Sequence, residues 1–306
     1  VRGEMDRFEA MRILLAAVDA GSLSAASRQL DIPLPTVSRR VAELEERLGA
    51  RLLLRGTRTL SLTDAGRAFV AASRRIVEDV TEAERTAAGE FRAPQGELVI
   101  SVPTVMGRTH VVPVVAEFLA AYPGISMRVL FSDRKVSLLE EHIDVALRVG
   151  PLADSSMVAT RIGLIREVVC ANPAYLKRNG TPKSPADLAK HECVTYEGVY
   201  VTRSKWEFLA KGKAFTVQVP SRLIVNSADA ALEACIGGTG VARLLSYQID
   251  KPVRSRKLVK LLDDFEPSPL PASLIYPSQR LVPQKLRAFL DFAIPRLRER
   301  LGGPHR

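Results

Sequence analysis

Hydrophobic positions along the chain change rhythm three times. Residues 5–63 hold short runs with helical spacing, interrupted at Gly21, Pro33, Pro35 and Gly49. Residues 64–91 form a proline-free stretch rich in Ala, Glu and Arg. From Pro94 onward, strand-like runs such as GELVISVP, ISMRVLF and IDVALRVG alternate with the helical-looking VVPVVAEFLAAYP and VSLLEEH. That alternation predicts βα units around a largely parallel sheet. No apolar run approaches the roughly 18 residues that would cross a bilayer.

The first segment predicts three short helices. Phe8, Met11, Leu15 and Val18 give the first an apolar face, and Gly21 ends it. Ser24 is placed to cap a second helix, AASRQL, whose Ala25 and Ala26 allow close packing. Asp31–Leu34 make a turn, and Pro35 suits the first turn of a third helix. Val37, Val41, Leu44 and Leu48 recur there at i, i+4, i+7 and i+11, a single buried stripe. The opposite face carries Thr36, Ser38, Arg39, Arg40 and, one turn later, Glu43. Arginines reach guanine edges or phosphate, and hydroxyls reach phosphate oxygens. Downstream, Arg55 and Arg58 flank a Gly-Thr turn between LLL and LSLT, a pattern for a two-stranded wing touching the DNA backbone.

In the middle segment Phe69, Ile76, Val80, Ala83 and Ala87, with Ser73 interposed, fall at steps of four and three. Such a seam pairs with a second copy or packs on its own domain. Asp64 is placed at the start as a cap.

Charge qualifies this picture more than it supports it. The net charge is +10, yet residues 1–63 hold 10 Lys/Arg against 8 Asp/Glu, whereas 93–306 hold 29 against 20. Local arrangement must therefore carry the case for DNA. Cys170, Cys193, Cys235 and the four histidines lack ligand spacing, so neither a metal site nor a cofactor is indicated, and a reducing cytoplasm fits. VRGEMDRFEAM has no apolar stretch of the kind that directs secretion. Two other classes fit the chain less well. An enzyme is disfavoured because GGTGVAR (237–243) follows a helical run and reads as its C-cap, and no GxSxG is present. A transport-type solute-binding protein would not carry the N-terminal helices.

The run GSLSAASRQLDIPLPTVSRRVAELEERLGARLLLRGTRTLSLTDAG resembles the N-terminal signature of the LysR-type transcriptional regulators. Its elements are a Ser-x-Ala-Ala helix, a Ser-Arg recognition helix ending Leu-Glu-x-x-Leu-Gly, a basic wing, and Leu-Thr-x-x-Gly opening a linker helix. Leu54 departs from the usual aromatic. The resemblance implies DNA contacts from Ser24, Leu34, Pro35, Thr36, Ser38, Arg39 and Arg40, with Arg55 and Arg58 on the wing. GELVISVPTVMGRTH, ANPAYLKRNGTPKSPADLAKHECVTY and NSADAALEACIGGTGVA resemble the family's effector-binding part. The fold expected is multi-domain: an all-α winged helix-turn-helix over 5–63 (motif near 23–42), a long linker helix over 64–92, and a two-lobed α/β domain over 93–306. That last domain is like the type 2 periplasmic binding proteins. Lobe 1 is read as 95–164 and 268–306, and lobe 2 as 166–266. The partners implied are double-stranded promoter DNA, a small-molecule effector, and further copies of the chain as a dimer through the linker and a tetramer.

Ligands in open α/β sheets settle beyond the carboxyl ends of strands, against helix N-termini. That places Pro103, Thr104 and Val105 after the strand LVISV, before a helix expected from Gly107–Thr109. Ser132, Arg148, Tyr196, Asn226 and Ser227 hold equivalent positions after other strands. Arg148 reads either as a carboxylate ligand or as a structural brace. The basic run from Lys251 to Lys260 is expected to be a solvated loop, with contact to DNA or a neighbouring subunit as the alternative.

Overall fold

The computed structural model describes residues 6–54, 60–87, 93–134, 136–152, 157–196, 204–278 and 282–302. Arg55 and Arg58 lie outside the described residues, as does His305. The chain forms two compact units, Val1–Ala93 and Pro94–Arg306.

In the first unit, helix α1 (Arg7–Asp19) is capped by Asp6, whose carboxylate accepts from the Phe8 and Glu9 amides. Its buried residues are Ala10, Ile13, Leu14, Leu15, Ala16 and Ala17, so the expected Phe8–Met11–Leu15–Val18 stripe is rotated. The reason is packing on several sides, because α1 meets three other helices of the unit. Helix α2 (Leu23–Leu30) is capped by Ser22, not Ser24; the Ser22 hydroxyl accepts from Ala25 N–H at 3.1 Å, leaving Ser24 exposed in the first turn. Asp31 turns the chain at φ 55°, and the Ser27 hydroxyl donates to the Ile32 carbonyl at 2.6 Å.

Helix α3 (Leu34–Leu48) carries Pro35 in its first turn and ends at Gly49, whose φ of 62° favours glycine. Val37, Val41 and Leu44 are buried, but Leu48 is 42% exposed because the helix ends there and leaves the core. Strands β1 (Leu53–Leu54) and β2 (Ser61–Leu62) pair antiparallel. Helix α4 (Asp64–Ala87) is opened by Thr63, whose hydroxyl accepts from the Gly66 amide at 2.9 Å. Asp64 instead pairs with Arg67.

The expected seam on α4 divides in two. Phe69 and Val77 pack with buried Val70 into this unit's own core, Ser73 is fully buried, and Arg74 pairs with Asp19 of α1. Ile76 and Val80, one turn apart, are left 44% and 36% exposed.

In the second unit, β3 (Gly96–Val102) leads into a continuous helical run: α5 (Thr104–Met106), a π turn (Gly107–Val111) and α6 (Val112–Ala121). This run starts at Thr104, earlier than expected. Next come β4 (Ile125–Phe131), β5 (Val145–Val149) and β6 (Met157–Ile165). Residues 138–142 of the helical-looking VSLLEEH are turns, with His142 at φ 56°. The chain then builds β7 (Glu167–Ala171), α7 (Pro173–Asn179), β8 (Cys193–Tyr196) and a hairpin of β9 (Lys205–Ala210) with β10 (Lys213–Gln218). It continues through β11 (Ser221–Val225), α8 (Ala228–Ile236), β12 (Val241–Leu245), α9 (Ser246–Arg254) and β13 (Val259–Leu261). Strand β14 (Leu270–Pro277) and helix α10 (Gln284–Gly302) finish it.

Two five-stranded sheets result, ordered β4-β3-β5-β14-β6 and β11-β8-β12-β7-β13. In each, four strands run the same way and one runs against its neighbours, β14 in the first sheet and β7 in the second, so the sheets are largely parallel as expected, with a single reversed strand apiece. The physical reason is the crossing between lobes. β6 leaves the first sheet at its edge, β7 enters the second, and β14 returns between β5 and β6, running against both. The sheets exchange chain at Arg166 and again between β13 and β14. The basic run at 251–260 is not a loop; it forms the end of α9, a turn with Arg256 at φ 57°, and part of β13.

Candidate DNA-reading helix and effector cleft

Helix α3 presents two unlike faces. Val37, Val41 and Leu44 anchor it in the core, while Leu34, Pro35 and Arg39 are exposed and Thr36 and Ser38 half-buried. The two arginines differ. Arg39 has a side chain 64% exposed, with only a loose 3.7 Å contact to Glu43. Arg40 is 25% exposed and held between Glu43 at 3.4 Å and Glu9 of α1 at 3.5 Å. Arg39 is thus free to reach a base edge, whereas Arg40 locks α3 to α1 and offers less to a ligand.

Glu45 was not singled out in the sequence. Its Oε1 accepts from the amides of Leu52 and Leu53 at 2.7 and 2.9 Å, tying the back of α3 to strand β1. A side-chain bond across a seven-residue gap has no periodic signature, so only the acceptor-rich LEERLG run could have hinted at it.

In the second unit, the run that starts at Thr104 and helix α8 meet across the lobes. Thr104 N–H donates to the Asp133 carboxylate at 3.0 Å, so this helix N-terminus already holds an anion. Ser132 is anchored by its amide to the Val102 carbonyl at 2.9 Å. Ser227 caps α8, accepting from Ala230 N–H at 3.4 Å, beside exposed Asn226. Arg108, one turn past Thr104, meets Asp229 in the first turn of α8, Nη2 to Oδ1 at 3.0 Å, and the His110 and Tyr247 rings lie edge-on at 6.0 Å. The ion pair is solvent-exposed, hence worth about 1 kcal/mol or less, too little to lock the lobes.

Two expected contributors are withdrawn from the cleft surface. Arg148 is 8% exposed and donates to the Leu147 carbonyl at 3.0 Å and to Ser101 Oγ at 3.3 Å; of the two readings, the geometry is that of the brace. Tyr196 is 8% exposed, and burial pushes its phenol up to about 12, with Asp133 adding to the effect. Pro103 and Thr104 are half-buried and Val105 is buried. Asp133, Arg108 and Asp229 were missed; the Ser-Asp pair following a strand parallel to LVISV was the available signal.

All three cysteines are buried, and burial pushes the Cys193 thiol up to about 12. Among the described residues no group of three or more His, Cys, Asp or Glu side chains is arranged to hold a metal ion, and no single helix is long and apolar enough to cross a membrane.

A helix-turn-helix with an exposed arginine and hydroxyls on its third helix, in a chain that also holds a two-lobed α/β domain, defines the class of ligand-responsive DNA-binding regulators. Comparison with known proteins makes this specific. Residues 8–67 match the bacterial regulatory helix-turn-helix protein of the LysR family, and 91–298 match the LysR substrate binding domain. An HTH-type transcriptional repressor of Pseudomonas aeruginosa is 34% identical, over 95% of this chain and 92% of its own length. The structure of CrgA, a LysR-type transcriptional regulator from Neisseria meningitidis, is 32% identical with a TM-score of 0.61, covering 96% of this chain and 99% of that one. The full-length Vibrio cholerae virulence activator AphB is 27% identical with a TM-score of 0.60, covering 94% and 99%. The chain belongs to the LysR family of transcriptional regulators: a DNA-binding regulator with an effector-binding domain, not an enzyme.

Proposed function

We propose that the chain reads a promoter in the cytoplasm as an oligomer, with Arg39 on base edges and Thr36 and Ser38 on phosphates. The single observation that carries this is the exposed Arg39 directly behind a fully buried Val37. Ser24, Leu34 and Pro35 flank that face, Arg40 supports it from behind, and Arg55 and Arg58 complete the contact from the wing. The effector lies between the lobes, bounded by Thr104, Ser132, Asn226 and Ser227. It favours one lobe arrangement and so changes the DNA geometry that the oligomer imposes. The named relatives include a repressor and an activator, so the sign of the output is not inferred from them. Nuclease footprinting of the full chain over the intergenic region beside its own gene tests this reading. Two protected half-sites about one helical turn apart are expected. Absence of protection at low ionic strength contradicts the reading.

The dimer forms through the part of α4 that its own core leaves uncovered. Ile76 and Val80 supply apolar area there, and further contacts pair dimers into a tetramer. Replacing both with Asp is expected to shift light-scattering mass down to the monomer at micromolar concentration. Operator affinity should fall with it by about 100-fold, because the second half-site loses its tethered partner. A variant that keeps its mass and affinity removes α4 from the interface.

A further inference from the structure

A groove of about 600 Å³ lies where the lobes exchange chain. It shares no lining residue with the Thr104–Asn226 cleft. Its walls come from both lobes and both crossings: Arg161 and Leu164 of β6, Arg166 at the first crossing, Ser246 of α9, Pro269 before β14, and Arg298 of α10.

Three guanidiniums border this groove and only one is neutralised. Arg166 Nη1 sits 3.2 Å from Glu266 Oε2, and Glu266 is largely buried. Arg298 donates from Nε and Nη2 to the Arg161 carbonyl at 3.3 and 3.1 Å, which holds it along the edge of β6 without cancelling its charge. Among the described residues neither Arg161 nor Arg298 makes an ion pair. Beside these cations Leu164 is 51% exposed, next to buried Ile162 and Leu301. A hydrocarbon body ending in a carboxylate satisfies both features. Bare phosphate would meet the charge and leave the leucine wet.

We propose that this hinge groove is a second small-molecule site, for aliphatic carboxylates, whose occupancy biases the angle between the lobes. Because a ligand there touches both lobes and both crossings, its affinity differs between lobe arrangements, and by linkage it shifts their populations. This site stands independently of the cleft reading.

Thermal unfolding of the full chain with glutarate, and separately with inorganic phosphate, at constant ionic strength provides the test. Glutarate is expected to raise the melting temperature in a saturable way. Arg161→Gln with Arg298→Gln should weaken that response about tenfold or more while leaving the ligand-free melting temperature unchanged. Lys205→Gln with Lys213→Gln, which removes the same charge from the exposed β9–β10 hairpin, should leave the response intact, as should Thr104→Val. If the double arginine variant does not fold, Leu164→Asp, at an exposed position, is expected to abolish the response. The proposal is overturned by any of four results: no response in the parent chain, an undiminished response in the groove variants, an equal loss in the lysine control, or phosphate acting as strongly as glutarate. Loss in Thr104→Val alone would assign glutarate to the cleft and likewise overturn it.

Discussion

Gly66→Ala is expected to destabilise the N-terminal unit strongly while leaving the C-terminal unit intact. A Cβ at this position would lie 2.1 Å from the Leu52 carbonyl oxygen and 2.9 Å from its carbon. Both are backbone atoms, so no rotamer change relieves the overlap. The close approach is enforced from two sides: Gly66 N–H donates to Thr63 Oγ1, and Thr63 N–H donates to that same Leu52 carbonyl at 3.0 Å. Separating α4 from β1 would break these bonds and disturb buried Leu52, at a cost of about 3 kcal/mol or more. Alanine's better helix propensity returns only about 1 kcal/mol. In calorimetry the first unit's transition should drop by more than about 10 °C, with loss of DNA binding. An unchanged transition would show that α4 does not pack against β1 this tightly. The geometry also gives a physical reason for the glycine in the Leu-Thr-x-x-Gly pattern.

Trp206→Ala carries the second large effect. The indole is 1% exposed beneath the β9–β10 hairpin and packs in a cluster with Val169, Phe208 and Val241. It also covers Arg243, whose guanidinium carbon is 5.6 Å from the ring centroid and whose Nη2 pairs with Glu167 at 3.4 Å. Burial raises the Glu167 pKa and lowers that of Arg243, each against the pull of the other. Removing the indole therefore leaves a cavity and exposes one side of an ion pair that depends on being enclosed. The expected cost is about 3–5 kcal/mol in urea denaturation followed by circular dichroism. Trp206→Phe, which keeps an aromatic face under the guanidinium, should recover a substantial part of it. A loss below about 1 kcal/mol for Trp206→Ala would mean that the hairpin does not enclose this core.

The N-terminal helices were legible in the sequence because their determinants are local: a proline in the first turn, an apolar stripe and a terminal glycine for α3. The errors there came from ends and neighbours. Leu48 keeps the helical spacing but sits where Gly49 turns the chain out of the core. The α1 stripe shifted because that helix is covered on several sides, which periodicity for a single face does not capture. Ser24 is the cap expected from the sequence, but the turn after Gly21 gives that place to Ser22.

The two-lobed domain was legible as strands and helices but not as topology. The return of β14 between β5 and β6 depends on residues more than one hundred positions apart in sequence. The run at 251–260 looked solvated because its basic residues dominate, while Pro252 and Leu258 are buried beneath them. Thr104 and Ser227 do stand at helix N-termini and Ser132 just past a strand end, the places where the rule that ligands meet helix N-termini beyond strand ends puts them. Asp133 escaped because the acceptor of the Thr104 amide comes from the segment that follows the neighbouring strand β4. Arg148 was placed at the right strand, but its guanidinium folds back onto Ser101 and the Leu147 carbonyl.

The central claim is that α3 reads base sequence through Arg39. It is tested most directly by competition binding of the full chain, parent and Arg39→Ala, to its footprinted operator and to unrelated duplex of equal length at one fixed salt concentration. The account predicts that Arg39→Ala weakens operator binding by about 5- to 150-fold, while binding to unrelated duplex falls far less, so that the ratio between them collapses. An operator affinity equal to the parent's, with the ratio preserved, would contradict it.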